Sequence, residues 1–309
     1  MILKGLQLGA EMKIGLIDVD GHNFPNLALM KISAYHKAQG DDVEWCVPIL
    51  QYDIVYQSKV FDDTYSQDIS FAPQADKIIK GGTGYGMNNK LPDEIEHIYP
   101  DYSLYPELTK DTAFGFLTRG CPRACDFCIV AEKEGRKSYK VADLSEFWNG
   151  QKCIKLLDPN ILACKEHLQL LQQLVNSGAY IDFTQGLDIR LVNDENIKLI
   201  NQMKLKEIHF AWDNPKDDLE KFFKFYASKA KHKPHGHFGT VYCLVNFNSS
   251  FEEDLYRINT LRGWNFDPYV MIYDKPNASQ QIRYLQRWCN NKLIFRSQPD
   301  FFKYDPKKG

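Results

Sequence analysis

The chain has 309 residues, 44% hydrophobic and 25% charged, with a formal net charge of -2, enough apolar material for one large or two modest cores. No stretch reaches the roughly eighteen uninterrupted apolar residues of a membrane span, and the near-neutral charge gives no global attraction to nucleic acid. A disulfide scaffold is disfavoured, because the eight cysteines show no framework spacing and the chain opens without a charged segment followed by an apolar one; a reducing, cytoplasmic compartment is expected.

In chain order, Met12 to Val19 is a compact apolar run, and Ala28 to Ala38 has Leu29, Ile32, Ser33 and His36 at helical spacing. Strands are predicted at Val43 to Val47, Asp53 to Val60 and Lys77 to Ile79, the last running into Gly81-Gly82-Thr83-Gly84-Tyr85-Gly86. That run could cradle a ligand group, but it lacks the phosphate-loop pattern and reads as a structural turn. Residues 1–90 thus predict a small doubly wound, Rossmann-like domain. Residues 91–111, broken by Pro92, Pro100 and Pro106, predict a linker.

Strand and helix alternation then restarts, predicting an α/β domain over 112–275. Strands are expected at Ala113 to Thr118, Lys152 to Leu157, Tyr180 to Phe183, Glu207 to Trp212, Phe238 to Val245 and Tyr269 to Tyr273. Helices are expected at Leu144 to Trp148, Cys164 to Ser177, Asp194 to Met203, Asp217 to Ala230 and Phe251 to Gly263. Residues 276–309 predict a final helix, Ala278 to Cys289, the piece Lys292 to Arg296 and a polar tail, with Trp288 and Phe295 as packing residues. The basic stretch Lys229 to Lys233 reads as a solvated surface, and nothing in the tail supports a nucleic-acid module.

The first of these strands ends at Gly120-Cys121-Pro122-Arg123-Ala124-Cys125-Asp126-Phe127-Cys128, three cysteines spaced C-x3-C-x2-C. Three thiolates suit an iron-sulfur cluster with one iron left open to a non-protein ligand. Structural zinc would close a tetrahedron with a fourth protein ligand, and Cys153, Cys164 and His167 downstream repeat no C-x2-C hook. A spectator core role is countered by the charged Arg119, Arg123 and Asp126 around the thiols.

With the aromatic Phe127 before the third cysteine, this stretch resembles the signature of the radical S-adenosylmethionine (radical SAM) superfamily. The resemblance implies that Cys121, Cys125 and Cys128 hold a 4Fe-4S cluster, that S-adenosylmethionine (SAM) chelates the open iron, and that Phe127 lies near the adenine. It also implies one-electron reduction by a donor such as flavodoxin or ferredoxin, and release of methionine and a 5'-deoxyadenosyl radical. The implied fold is a partial (βα)6 TIM-like barrel, with polar residues past each strand meeting the ligand. By that analogy Asp158, Asn160, Gln185, Asp188 and Arg190 are assigned to SAM, whose carboxylate, amino group and ribose need such partners. Asp213, Asn246 and Asp274 would then face the substrate. The Gly-Gly-Glu usual after the second strand is absent.

The amino-terminal domain resembles a degenerate cobalamin-binding fold. The pattern D-x-H-x-x-G would use Asp20 and His22 but meets Pro25 where glycine is required, so a domain without cobalamin is the preferred reading. The other cysteines, Cys46, Cys153, Cys164, Cys243 and Cys289, offer no second cluster and read as packing residues. The functional expectation is a radical SAM enzyme acting on an unidentified substrate. Its alternatives are a cobalamin-dependent radical SAM methyltransferase and a non-catalytic metal-binding protein.

Overall fold

A computed structural model describes residues 11–21 and 23–307. The chain divides into two compact units, Met1–Gly115 with Ser145–Gln151, and Phe116–Leu144 with Lys152–Gly309.

The first unit begins with β1 (Lys13–Asp18), buried along nearly its whole length as the strands of parallel sheets are. Helix α1 (Leu27–Gln39) follows, started by the Asn26 side chain accepting from the Leu29 N–H and stopped by Gly40 in the left-handed region. Strands β2 (Asp42–Trp45), β3 (Gln51–Ser58) and β4 (Gln74–Gly81) complete a parallel sheet in the order β2-β1-β3-β4. Ile14 and Leu16 pack with Leu29 and Ile32 of α1, while Ile17, Tyr52 and Val55 pack with Ile69 and Phe71.

This differs from the doubly wound expectation. Among the described residues the connections 46–50 and 59–73 contain no helix, so a helix covers one face of the sheet and loop residues the other. The 59–73 segment carries Asp62, Asp63, Ser66, Asp68, Ser70 and Pro73 with no 3.6-residue apolar period, so no helical stripe is available. The glycine run after β4 is a turn: Gly82 has φ +90°, and a Cβ there would stand 2.2 Å from the Lys59 carbonyl oxygen. Short helices α2 (Asp93–Glu96) and α3 (Pro106–Thr109) lie in the stretch that leads to β5 (Thr112–Gly115).

The expected strand Ala113 to Thr118 is interrupted. β5 ends at Gly115, and Thr118–Arg119 form β6, paired antiparallel with β7 (Tyr139–Lys140) across a loop that contains α4 (Val130–Lys133). The buried carboxylate of Asp158 takes the N–H groups of Leu117 and Thr118, diverting them from a strand ladder.

The second unit then repeats strand and helix: β8 (Cys153–Leu156), α5 (His167–Ser177), β9 (Tyr180–Phe183), α6 (Asp194–Gln202), β10 (Lys204–Ala211), α7 (Glu220–Lys229), β11 (Thr240–Val245), α8 (Phe251–Gly263) and β12 (Asp267–Ile272). Capping boxes at Asn193 and Ser250 start α6 and α8. Within this unit the sheet order is β12-β11-β10-β9-β8, with parallel pairing throughout and, among the described residues, no pair joining β12 to β8. Helices α9 (Gln280–Asn290) and α10 (Lys292–Ser297) close a core around Trp288, whose indole N–H donates to the Gln298 carbonyl and whose ring meets Phe295 edge-on. Ile154, Ile181, Ile208, Phe210, Val241, Cys243 and Val270 are fully buried, while the alternate positions Lys155, Asp182, Glu207, His209 and Tyr242 are polar. No described helix is long and apolar enough to cross a membrane.

Candidate functional site

The three cysteines sit on the loop between β6 and α4, and the loop is pinned at its start. Gly120 adopts φ +77°, and a Cβ there would stand 2.0 Å from the Lys137 carbonyl oxygen, so this position requires glycine. The Glu134 carboxylate accepts from the Gly120 N–H at 3.0 Å and from Arg119 Nη1 at 2.7 Å. The Cys121 N–H donates to the Gly135 carbonyl, and the Cys128 N–H donates back to the Cys125 carbonyl in a turn. Cys125 and Cys128 face solvent and Cys121 is half-buried.

Partial burial of the sulfurs raises the Cys125 and Cys128 thiol pKa values, and the neighbouring cysteines and Asp213 raise them further.

Around the loop the structure assembles several of the residues expected from sequence. The Asn160 amide nitrogen lies 3.5 Å from Cys121 Sγ, and its buried Oδ1 has no hydrogen-bond partner. Asp188 accepts from Arg190 Nε at 2.7 Å on one oxygen and from Arg123 Nε on the other, and Arg190 Nη1 donates to Asp217 at 2.8 Å. Burial works to raise the Asp188 pKa, but the two guanidinium groups outweigh it and hold the carboxyl below its usual range. Phe127 meets Phe247 edge-on at 5.5 Å, and Phe247 meets Tyr273 at 4.6 Å, joining the cysteine loop to the segments after β11 and β12.

No protein-family model matches the chain, and no curated protein matches it in sequence. Comparison with solved structures gives a partial match to the radical S-adenosylmethionine methyltransferase TsrM from Kitasatospora setae, with cobalamin and a 4Fe-4S cluster bound. It is 10% identical, with 84% of this chain and 68% of that chain covered at a TM-score of 0.41.

Asp158 is placed beneath the loop rather than on its surface. It is fully buried and accepts from the Leu117 and Thr118 N–H groups and from Thr118 Oγ1 at 2.6 Å. Burial pushes its pKa up to about 6 against these hydrogen bonds. A carboxyl whose pKa rises on folding holds its proton more tightly in the native state, so stability through this group grows as pH falls from 7 through 6 and is complete below about 4. From pH 7 to 5 the wild type is expected to gain roughly 1 kcal/mol that Asp158→Asn does not gain. Denaturant unfolding of both proteins at the two pH values measures this, and parallel shifts would contradict it.

The other expected contacts are dispersed. Asp213 is half-buried, its carboxylate accepting from the Leu244 N–H at 2.9 Å, and desolvation raises its pKa. Gln185 is exposed, with no hydrogen bond of its own among those described. Asn246 is exposed and donates to the Tyr273 carbonyl at 3.1 Å, while exposed Asp274 accepts from Asn277 and shapes a turn. Arg123, Glu134, Asp217 and Phe247 were not expected at the site. Arg123 lies within the cysteine motif, but nothing in the sequence links Glu134 to Gly120 or Phe247 to Phe127.

In the first unit a cavity of about 410 Å³ opens at the carboxyl ends of β1 and β2, lined in part by Asp18, Phe24, Trp45, Cys46, Phe71 and Tyr105. Its lining, among the described residues, includes no histidine. His22 lies outside the described residues. Asp20 is buried and accepts from the Val60 and Phe61 N–H groups, which ties the loop after β1 to the end of β3.

Proposed function

We propose that the chain is a radical SAM enzyme whose Cys121, Cys125 and Cys128 hold a 4Fe-4S cluster. The observation that carries this reading is the three-thiol loop itself: a glycine-pinned turn presenting three soft donors within eight residues. Once bound, the cluster would supply an electron to the sulfonium of SAM, as the resemblance implies, with a reduced flavodoxin or ferredoxin as donor in the cytoplasm.

The chain's own residues fit the remaining tasks. Glu134 and Gly120 hold the loop in one shape before any ligand arrives, which lowers the ordering cost of binding. The Asn160 amide stabilises negative charge on the Cys121 sulfur. Arg190 and Arg123 place positive charge where a carboxylate of SAM can be bound by exchange with Asp188 or Asp217. Phe127, in contact with Phe247, offers an aromatic surface for a flat ring. Asp213, half-buried near the thiols with a raised pKa, is the substrate-facing group best suited to hold or release a proton.

Anaerobic incubation with SAM and dithionite, read by mass spectrometry, is expected to yield 5'-deoxyadenosine. Absence of that product from cluster-loaded protein would leave the non-catalytic metal-binding reading in its place. A second reading, cobalamin-dependent methyl transfer, is favoured by the cavity at the strand ends of the first unit, and retention of hydroxocobalamin on gel filtration tests it.

A further inference from the structure

We propose that Asp182, Glu207 and His209 form a binding site for a divalent first-row transition cation such as zinc, separate from the cysteine loop. Ligand atoms of these three side chains lie within 4.8 Å of one another, and Asp182 and His209 are buried. The trio is made by an irregularity in strand pairing. Leu205 pairs with Ile181, but the next pair is Glu207 with Asp182, so Lys206 is skipped. A regular ladder would have set a lysine opposite the aspartate, whereas the bulge sets a second carboxylate there, an arrangement that repels unless a cation joins it.

The orientation of each group is consistent with ligation. His209 Nδ1 lies 3.1 Å from the Phe183 carbonyl, a contact that orients the ring and leaves Nε2 as the nitrogen available to a metal. Nε2 stands 3.6 Å from Glu207 Oε2, so both atoms can reach one cation placed between them. The imidazole plane is fixed by Tyr242, stacked on it at 5.2 Å, whose hydroxyl donates to the Thr184 carbonyl. Thr184 Oγ1 donates to Asp182 Oδ1 at 3.0 Å, and the buried Oδ2 accepts no hydrogen bond. Lys155 stands 3.0 Å from that oxygen, out of line for a hydrogen bond, and holds the place an incoming cation takes. One imidazole and two carboxylates match zinc, manganese or ferrous iron rather than a soft monovalent ion, and three protein ligands leave coordination positions open.

The test uses the full chain carrying Cys121→Ala, Cys125→Ala and Cys128→Ala, so that a failure of the cluster reading and a failure of this one remain distinguishable. Titrated with zinc chloride by calorimetry after chelator treatment, it is expected to bind one equivalent. Adding Glu207→Gln or His209→Gln is expected to weaken that binding at least about tenfold with the metal-free circular dichroism melt unchanged. Lys155→Met, which removes a competing cation and no ligand, is expected to bind zinc more tightly. A folded parent that takes up no zinc, an affinity indifferent to Glu207→Gln, or loss of binding in Lys155→Met would overturn the proposal.

Discussion

Replacing Cys121, Cys125 and Cys128 together by alanine is expected to take anaerobically reconstituted iron from about four per chain to nearly none, and SAM cleavage with it. Each single replacement should lose most of the signal, because only two of the three thiolates that hold the cluster then remain. Folding stability should change little. Cys125 and Cys128 are solvent-facing and none of the three belongs to the buried core, so truncation opens no cavity there. Iron analysis and the charge-transfer absorbance are the measurements, and full absorbance in the triple variant would remove the cluster from this loop.

Arg257→Leu is expected to be the most destabilising single change, by about 3 to 5 kcal/mol. Arg257 is 1% exposed and its guanidinium donates to the carbonyls of Trp212, Asp213 and Leu244 and to the Asp254 carboxylate, which is equally buried. Leucine there leaves three carbonyls and a carboxylate without their donor in the interior. Asp254 sits one helical turn before Arg257 on α8 and also accepts from the Asn246 N–H. The pair therefore ties α8 to the ends of β10 and β11, where Asp213 is held. Denaturant unfolding of the second unit measures the loss. Arg257→Leu combined with Asp254→Leu should recover part of it, because no unpaired charge is then left behind.

Much of the second unit was legible because its signals are local. The Tyr180 to Phe183 strand and the Phe251 to Gly263 helix emerge with the expected bounds, the helix because Ser250 and Glu253 form its capping box within four residues. The first unit was less legible, since the connection after β3 is a loop whose packing depends on Ile69 and Phe71 finding the far face of the sheet. The strand before the cysteine loop was expected to be continuous and is not, because Asp158, some forty residues further on, takes its N–H groups.

The candidate site divides along the same line. By itself the sequence determined that three thiols share the 121–128 loop, because C-x3-C-x2-C lies within eight residues and needs no fold to bring them onto one segment. Only the tertiary structure decided which distant side chains join them: the Asn160 amide on Cys121, the Arg123 and Arg190 pair on Asp188, and Phe247 against Phe127. It alone decided the Asp182, Glu207 and His209 cluster, since a single skipped residue in β10 selects a glutamate instead of a lysine as the partner of Asp182. Pairing register is a property of two strands, and one strand's sequence does not contain it.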